Sequence, residues 1–429
     1  MKHARILTLL MSISSLTLRA QDIKEQEVKR IITTLAADDM QGRKTFEPGI
    51  EKAAQFLEKE FTRAGLRPLP GATNFRQAFH RFNTTPGLRQ GHVGNSVIGA
   101  ERIILLGVAP SIDWNQQSDV DVQTLPAGEQ FYDFVRKLRE AKKNTLVWVD
   151  TAHTEDFNKF YGTIQEKGSK HLDSMCSVVL VLKQAGDADF KTWDVKASQQ
   201  VTPLYLSNIA GMIKGKTKPD EYVIFSGHYD HLGIVKPVST DSIANGADDD
   251  ASGVTAVIML AKYYKQHPPA RSLIFVAFTA EEIGGYGSRY FSKRQNPDKV
   301  VAMFNIEMIG KESKFGKNSA FITGYERSDF GKILEKNLQH SIFRFYPDPY
   351  PEQDLFFRSD NATLARQGVP AHTISTDQID SDKLYHSVGD EVSTLDIKNI
   401  TSTIQAIAIS ARSIVAGTDT PTRIAALKR

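Results

Sequence analysis

The sequence predicts an α/β protein: a mixed, largely parallel sheet with helices on both faces, plus an inserted β-rich module. Three observations predict it. From Pro203 onward, strand-like apolar runs at 206–212, 223–225, 273–278 and 300–306 alternate with helical patterning, clearest at 254–264, and such alternation builds a parallel sheet wrapped by helices. Between 75 and 201 the texture changes to short β-rich runs separated by stretches rich in Asp, Gln and Lys. The residues most suited to chemistry fall just past the carboxyl ends of the predicted strands, where open α/β sheets bind their ligands.

At the start of the chain, Lys2 and Arg5 precede an apolar stretch over 6–18, and Arg19, Ala20 and Gln21 offer a small residue before a polar start. That is the build of a secretory signal peptide over 1–20, too short for a membrane span, and it predicts a secreted or periplasmic protein. The 429 residues include 53 basic and 50 acidic side chains, and three of the basic ones lie in this segment. The mature chain is therefore neutral, which leaves no electrostatic footprint for nucleic acid or an anionic membrane surface. No second long apolar segment follows. Cys176 is the only cysteine, which excludes an intramolecular disulfide. Its position between Met175 and a Val-rich run predicts a buried structural thiol.

With 41% hydrophobic residues the chain can bury a large core and is long enough for more than one module. Residues 22–65 are patterned as helix: Val28, Ile31, Ile32 and Leu35 recur at helical spacing, and Ala53, Ala54, Phe56, Leu57 and Phe61 repeat it before Gly65. Gln41, Gly42 and Arg43 form a loop between the two runs. We read 21–74 as the N-terminal helical part of a catalytic domain that resumes at 202 and continues to 429. Inside 75–201, strands are expected at 96–98, 102–107, 145–149 and 177–182, and a helix at 129–141. His80, His153 and His171 show no ligand spacing and are expected on the surface or locally bonded.

The stretch from Glu221 to Asp250 organises the rest. His228 and Asp230 follow a core strand that stops at Ser226 and Gly227; a strand alternates its faces, so standing two apart they project the same way and the carboxylate can orient the imidazole. A His-x-Asp also arises by chance. Asp248, Asp249 and Asp250 come next. Three successive carboxylates repel one another, and a divalent cation offsets that repulsion; acidic residues ahead of a helix also serve as its cap.

Glu281 and Glu282 leave the strand near 273–278 and, being adjacent, point in different directions, so one can bind metal while the other works as a general base. The plain alternative is a solvated pair opening a helix. Glu307 sits among apolar residues at the end of a strand, where a carboxylate is costly unless paired or metal-bound. His386, preceded by Tyr385, lies in a polar loop before the last helix, a setting in which histidines are usually exposed. Each piece is ambiguous alone. Their order, His, Asp, Glu-Glu, Glu, His, each beside a strand end, gives them weight together. His231 is expected to point to the other face in a supporting role, and His372, in the apolar run 369–374, to be a hydrogen-bonded core histidine.

This ordered set resembles the zinc-dependent M28 metallopeptidases, whose familiar members are secreted aminopeptidases. The resemblance is carried by Gly227-His228-Tyr229-Asp230-His231-Leu232-Gly233, Gly246-Ala247-Asp248-Asp249-Asp250-Ala251-Ser252-Gly253, Glu281-Glu282-Ile283-Gly284, Asn305-Ile306-Glu307-Met308-Ile309-Gly310 and Tyr385-His386-Ser387. It is strong from 208 to about 396 and reaches weakly to Gln41-Gly42-Arg43 and Ala64-Gly65-Leu66.

It implies a zinc-exopeptidase-like fold, with 75–201 as a cap or a module of the protease-associated kind. It also implies two zinc ions, one on His228, Asp249 and Glu307 and the other on Asp249, Glu282 and His386, with Asp249 bridging and a position left open for water. Glu281 is then the general base that takes the water's proton and hands it to the departing amine, while Asp230, Asp248 and Tyr385 support the ligands or the substrate. The implied substrates are peptides, trimmed one N-terminal residue at a time.

Two departures are visible. Glu307 stands where many members carry Asp, and Asn361 stands where many carry His. The first keeps a single-zinc glutaminyl cyclase as a second reading; a metal-free binding module of the same fold is a third. The complete ligand set and the Glu281-Glu282 pair favour hydrolysis.

Overall fold

The computed structural model describes residues 23–138, 141–172, 176–187 and 190–425, so the expected signal peptide lies outside the described residues. The chain opens with two helices, α1 at Glu25–Leu35 and α2 at Pro48–Arg63. Val28, Ile31, Ile32 and Leu35 of the first, and Ala53, Ala54, Leu57 and Phe61 of the second, are the buried stripe that their spacing demands. Pro48 starts α2 where a missing N–H costs nothing, and Gly65 turns the chain out of it with φ 69°.

The strands that position the site are β1 Arg76–Val93, β2 Trp193–Ile213, β3 Lys218–His228, β4 Arg271–Phe278, β5 Val300–Ile306, β6 Ser319–Ile322, β7 Arg344–Pro347 and β8 Ala371–Ser375. They lie in the order β7-β6-β8-β5-β3-β4-β2-β1 within an 11-stranded sheet. At its centre β8, β5, β3 and β4 run parallel. On one side β2 and then β1 join antiparallel, and on the other β6 joins β8 antiparallel. The sheet is thus mixed and parallel in the middle, as the alternating pattern predicts.

Every residue of β4 and β5 is buried, because both faces are covered. Helices α3, Gly253–Gln266, and α4, Ile397–Ser410, share with α1 and α2 the larger core around Phe225, Phe275 and Phe304. A smaller core containing Phe278, Phe291, Leu364 and Val369 lies against the opposite face.

Within 75–201 the strands appear at Ser96–Ile98, Ile103–Leu106, Thr145–Val149 and Val178–Leu182, and the helix at Phe131–Leu138. A further strand, Asp121–Leu125, and a further helix, Thr154–Lys167, join the elements expected in this β-rich module. Its four-stranded sheet packs Phe131, Val135, Phe157 and Ile164 of the two helices on one face. The other face sets Trp148 and Val179 against Trp193 and Val195 of β2.

Absent from the sequence reading is the ribbon that carries the module. β1 and β2 pair antiparallel from Arg76↔Ile209 to Val93↔Trp193, so one continuous ribbon starts in the main sheet and ends in the module. Pro86 and Gly87 look like a break in β1, but the register shifts between Pro86 and Arg89 and the strand continues past a bulge. β2 likewise passes through Val201 without interruption.

His80 is exposed, His153 bonds the Pro126 carbonyl at 2.9 Å, and His171 accepts the Gly107 N–H at 3.3 Å. Cys176 is half-buried rather than buried, because it precedes the strand whose side chains fill the module's core. No helix among the described residues is long and apolar enough to cross a membrane.

Candidate metal centre

Strands β3, β4 and β5 end side by side, and the chain turns sharply after each. Ala280, just before Glu281, Met308, just after Glu307, and His386 itself take left-handed backbone angles, with φ 59°, 52° and 55°. Each costs about 1–3 kcal/mol in a residue with a Cβ and persists only where the surroundings hold it. The turns re-aim the carboxylates that follow the strands.

The three consecutive aspartates point to three different places. Asp250 turns inward: Oδ2 accepts the His228 N–H at 3.0 Å, and Oδ1 accepts those of Gly253 at 2.9 Å and Met308 at 3.2 Å. One buried carboxylate therefore pins the end of β3, the first turn of α3 and the loop after β5. Asp248 Oδ1 accepts the Gly310 N–H at 2.7 Å, and its Oδ2 lies 3.3 Å from Lys311 Nζ. The Asp390 carboxylate accepts the N–H groups of Asp248 at 2.9 Å and Asp249 at 3.0 Å. Helix capping thus falls to Asp250, and the Asp249 side chain is left to face the histidines. The backbone has no room to spare: a Cβ on Gly253 would stand 2.0 Å from the Ile306 carbonyl oxygen.

Asp249 Oδ1 lies 3.1 Å from His228 Nε2, and Oδ2 lies 3.2 Å from His386 Nε2. Glu282 Oε2 is 3.2 Å from His386 Nε2, and Glu307 Oε1 is 3.9 Å from His228 Nε2. The five residues expected as ligands therefore meet in two groups that share Asp249. His228, Asp249 and Glu282 each bring a donor atom within 4.8 Å of the others. His228 Nε2 is buried and, although 3.1 Å from Asp249 Oδ1, is not aligned for a hydrogen bond to it. Two imidazoles and two further carboxylates around the shared Asp249 carboxylate, with the buried His228 Nε2 aimed among them, fit divalent cations that accept N and O ligands.

The electrostatics agree. Burial alone would drive the His228 imidazole down, but Asp249 and Asp250 outweigh it and hold it well above its ordinary value. Against the same opposition from burial, Asp249 and Glu282 push His386 up to about 10. Burial, reinforced by Glu307 and Asp360, raises Glu281 well above the usual carboxylate range. Burial also lifts Glu307 to about 7. Protons here take the place of the positive charge that this crowd of carboxylates requires.

Asp230 supports the centre differently from the sequence expectation. His228 Nδ1 lies 3.1 Å from Asp230's own main-chain carbonyl and 3.9 Å from its carboxylate. The strand ends at His228, so face alternation no longer governs Asp230. Its carboxylate instead accepts the N–H groups of Glu281 at 3.1 Å and Glu282 at 3.4 Å, and the Thr45 hydroxyl at 3.1 Å.

His231 does not point away: its Nδ1 lies 2.8 Å from Glu282 Oε1 and 3.7 Å from Asp249 Oδ2. Tyr385 stacks on His386 with ring centroids 3.9 Å apart. His372 is a core histidine, bonded to the Thr323 carbonyl at 2.9 Å and the Ser328 hydroxyl at 2.7 Å. Asn361 donates to the carbonyls of Phe356 and Ala371 in the core.

Two supporting residues escaped the sequence reading: Asp390 and Arg43. Arg43 is fully buried and donates to four carbonyls, those of Tyr229 at 2.9 Å, Leu35 at 2.7 Å, Asn245 at 2.6 Å and Gly246 at 2.9 Å. It ties the N-terminal helices to the segments that carry His228 and Asp249. Its place in the weakly matching Gln41-Gly42-Arg43 was the only signal. A pocket of about 470 Å³, open to solvent, begins at Glu307 and Tyr385 and runs between Phe321, Leu355, Asp377 and Ile379.

Residues 208–410 match the model of peptidase family M28. A “probable zinc metalloprotease” of Pyricularia oryzae is 34% identical over 119 residues, 27% of this chain and 24% of that protein. One from Pyrenophora tritici-repentis is 33% identical over 112 residues, 26% of each chain. The matched segment thus spans about a quarter of the length of these curated relatives. Among solved structures, an aminopeptidase from Aneurinibacillus sp. strain AM-1 superposes with TM-score 0.53 at 16% identity, covering 96% of this chain and 97% of that one. BSAP, a zinc aminopeptidase from Bacillus subtilis, gives TM-score 0.54 at 15% identity over 93% and 97%. Identities this low establish a shared fold. The segment 208–410, which contains every side chain gathered around Asp249, belongs to peptidase family M28.

Proposed function

We propose that the protein is a zinc aminopeptidase holding two metal ions and removing single residues from the amino termini of peptides. The observation that carries this reading is Asp249, with one carboxylate oxygen 3.1 Å from His228 and the other 3.2 Å from His386. His228, Asp249 and Glu307 would hold one ion; Asp249, Glu282 and His386 would hold the other. Zinc bound there polarises the scissile carbonyl and acidifies water.

The protein's own groups do the rest. Glu281 accepts the proton of the attacking water and returns it to the departing amine. Its backbone is fixed for this by Asp230. His231 holds Glu282, and Tyr385 holds the His386 ring by stacking. The excess of carboxylates around Asp249 suits the α-amino group of a peptide, which supports cleavage at the amino terminus.

The likeness to probable zinc metalloproteases and to a zinc aminopeptidase of the same fold agrees with this chemistry. Lys2, Arg5 and the apolar stretch after them support export from the cytoplasm. The intact pairing of His228 with Asp249 and Glu307 favours hydrolysis over a single-zinc cyclase or a metal-free binding module. The test is incubation with aminoacyl anilides and with peptides bearing N-terminal glutamine. Release of the free amine and of free amino acids is expected, whereas pyroglutamate formation without hydrolysis would contradict the reading.

A further inference from the structure

We infer that the pocket beside Glu307 selects substrates whose first residue has a cationic side chain, lysine or arginine, and that Asp377 is the residue that recognises it. This rests on the aminopeptidase reading above. A peptide whose amino terminus lies at the metal centre sends its first side chain into the adjoining cavity, and the pocket starts at Glu307 and Tyr385. Its walls offer Phe321, Leu355 and Ile379 to the aliphatic stem of a long side chain.

Asp377 is the buried charge in that lining. Thr373, Ser375, Asp377 and Ile379 stand two apart along and beyond β8, and all four line the pocket. Asp377 is 4% exposed, and its Oδ1 has no hydrogen-bond partner among the described residues. Behind it lie Asp248 and Asp382, each bringing an oxygen within 4.8 Å of the others. Lys311 Nζ answers those two, 3.3 Å from Asp248 and 2.5 Å from Asp382, and among the described residues it makes no ion pair with Asp377. Three carboxylates face one ammonium at the pocket wall. Burial, with Asp248 and Asp382 adding to it and Lys311 opposing, lifts Asp377 to about 8, so the free carboxyl holds a proton that a bound ammonium or guanidinium displaces.

Besides Glu307, where the pocket meets the metal centre, the remaining charged group in the lining is Arg358, which is exposed and donates to Gln353 Oε1 at 3.2 Å. Water weakens its pull on an acidic side chain, whereas a contact with Asp377 forms out of water, where charges attract more strongly.

The experiment compares kcat/KM for Lys-, Arg-, Leu- and Glu-p-nitroanilide in the wild-type protein and in Asp377→Asn. Lysine and arginine are expected ahead of leucine and glutamate by about tenfold or more, and Asp377→Asn is expected to cut the Lys:Leu ratio by about tenfold or more. The ratio within one preparation is insensitive to how much of the variant folds. Calorimetric binding of lysinamide against leucinamide to the wild-type protein is expected to give the same ranking without turnover. Leucine or glutamate ranking first in the wild type, or an unchanged ratio in Asp377→Asn, would overturn the inference and leave the aminopeptidase reading standing. Failure to cleave any of the four substrates would strike both.

Discussion

Asp230 Oδ1 accepts the main-chain N–H of Glu281 at 3.1 Å, joining the loop after β3 to the loop after β4. The same carboxylate holds Glu282, so one buried side chain sets the backbone from which both glutamates project. Asp230→Ala leaves two partly buried N–H groups unmet. It is expected to cost about 1–3 kcal/mol of stability and to lower kcat about 10–100-fold. Denaturant titration and steady-state kinetics measure both; unchanged kcat would separate Asp230 from the positioning of the glutamates.

Glu281→Gln keeps the shape of the side chain and removes the base. Turnover is expected to fall about a hundredfold or more while zinc content stays unchanged, because Glu281 belongs to neither group of ligands around Asp249. Metal analysis alongside kinetics checks this. Loss of zinc would make Glu281 a ligand, and unchanged turnover would remove it from the mechanism.

Arg43 meets four carbonyls from three separate segments, and burial draws its guanidinium pKa down despite the pull of Asp390 and Asp249. Arg43→Ala leaves those carbonyls unmet and a hole between them, at an expected cost of about 3 kcal/mol or more. Arg43→Lys, with three donors in a different geometry, should lose less. Unfolding midpoints in denaturant read both, and a variant as stable as wild type would contradict the role.

Zinc binding should release protons. In the metal-free protein His386 is lifted to about 10 and His228 well above its ordinary value, so both imidazoles are protonated at neutral pH. A cation must displace those protons to reach the nitrogens, so affinity rises with pH. Calorimetry in buffers of different ionisation enthalpy is expected to count more than one proton released per chain. A count of zero would contradict this electrostatic account.

Much of this was legible in the sequence, for reasons that particular residues make plain. β5 was predicted at its observed ends because a strand covered on both faces is a continuous apolar run. The buried stripe of α1 follows from the spacing of Val28, Ile31, Ile32 and Leu35. The convergence of His228, Asp249, Glu282, Glu307 and His386 was legible because these side-chain types recur in order, three of them at or just past strand ends.

What stayed hidden depends on partners far along the chain or on where a strand stops. Arg43 reaches Asn245 and Gly246 across some 200 residues, and no local pattern encodes that. The orientations of Asp230 and His231 were missed because β3 ends at His228 and strand alternation ends with it. β1 has no counterpart in the sequence reading; it carries Pro86 and Gly87, which the structure absorbs in a bulge.

The central claim is that Asp249 is shared between two cations, and zinc stoichiometry tests it most directly. Titrating the metal-depleted protein is predicted to give two zinc ions per chain for the wild type, one for Glu307→Ala and none held tightly by Asp249→Ala. A single zinc in the wild type, or two retained by Asp249→Ala, would contradict it.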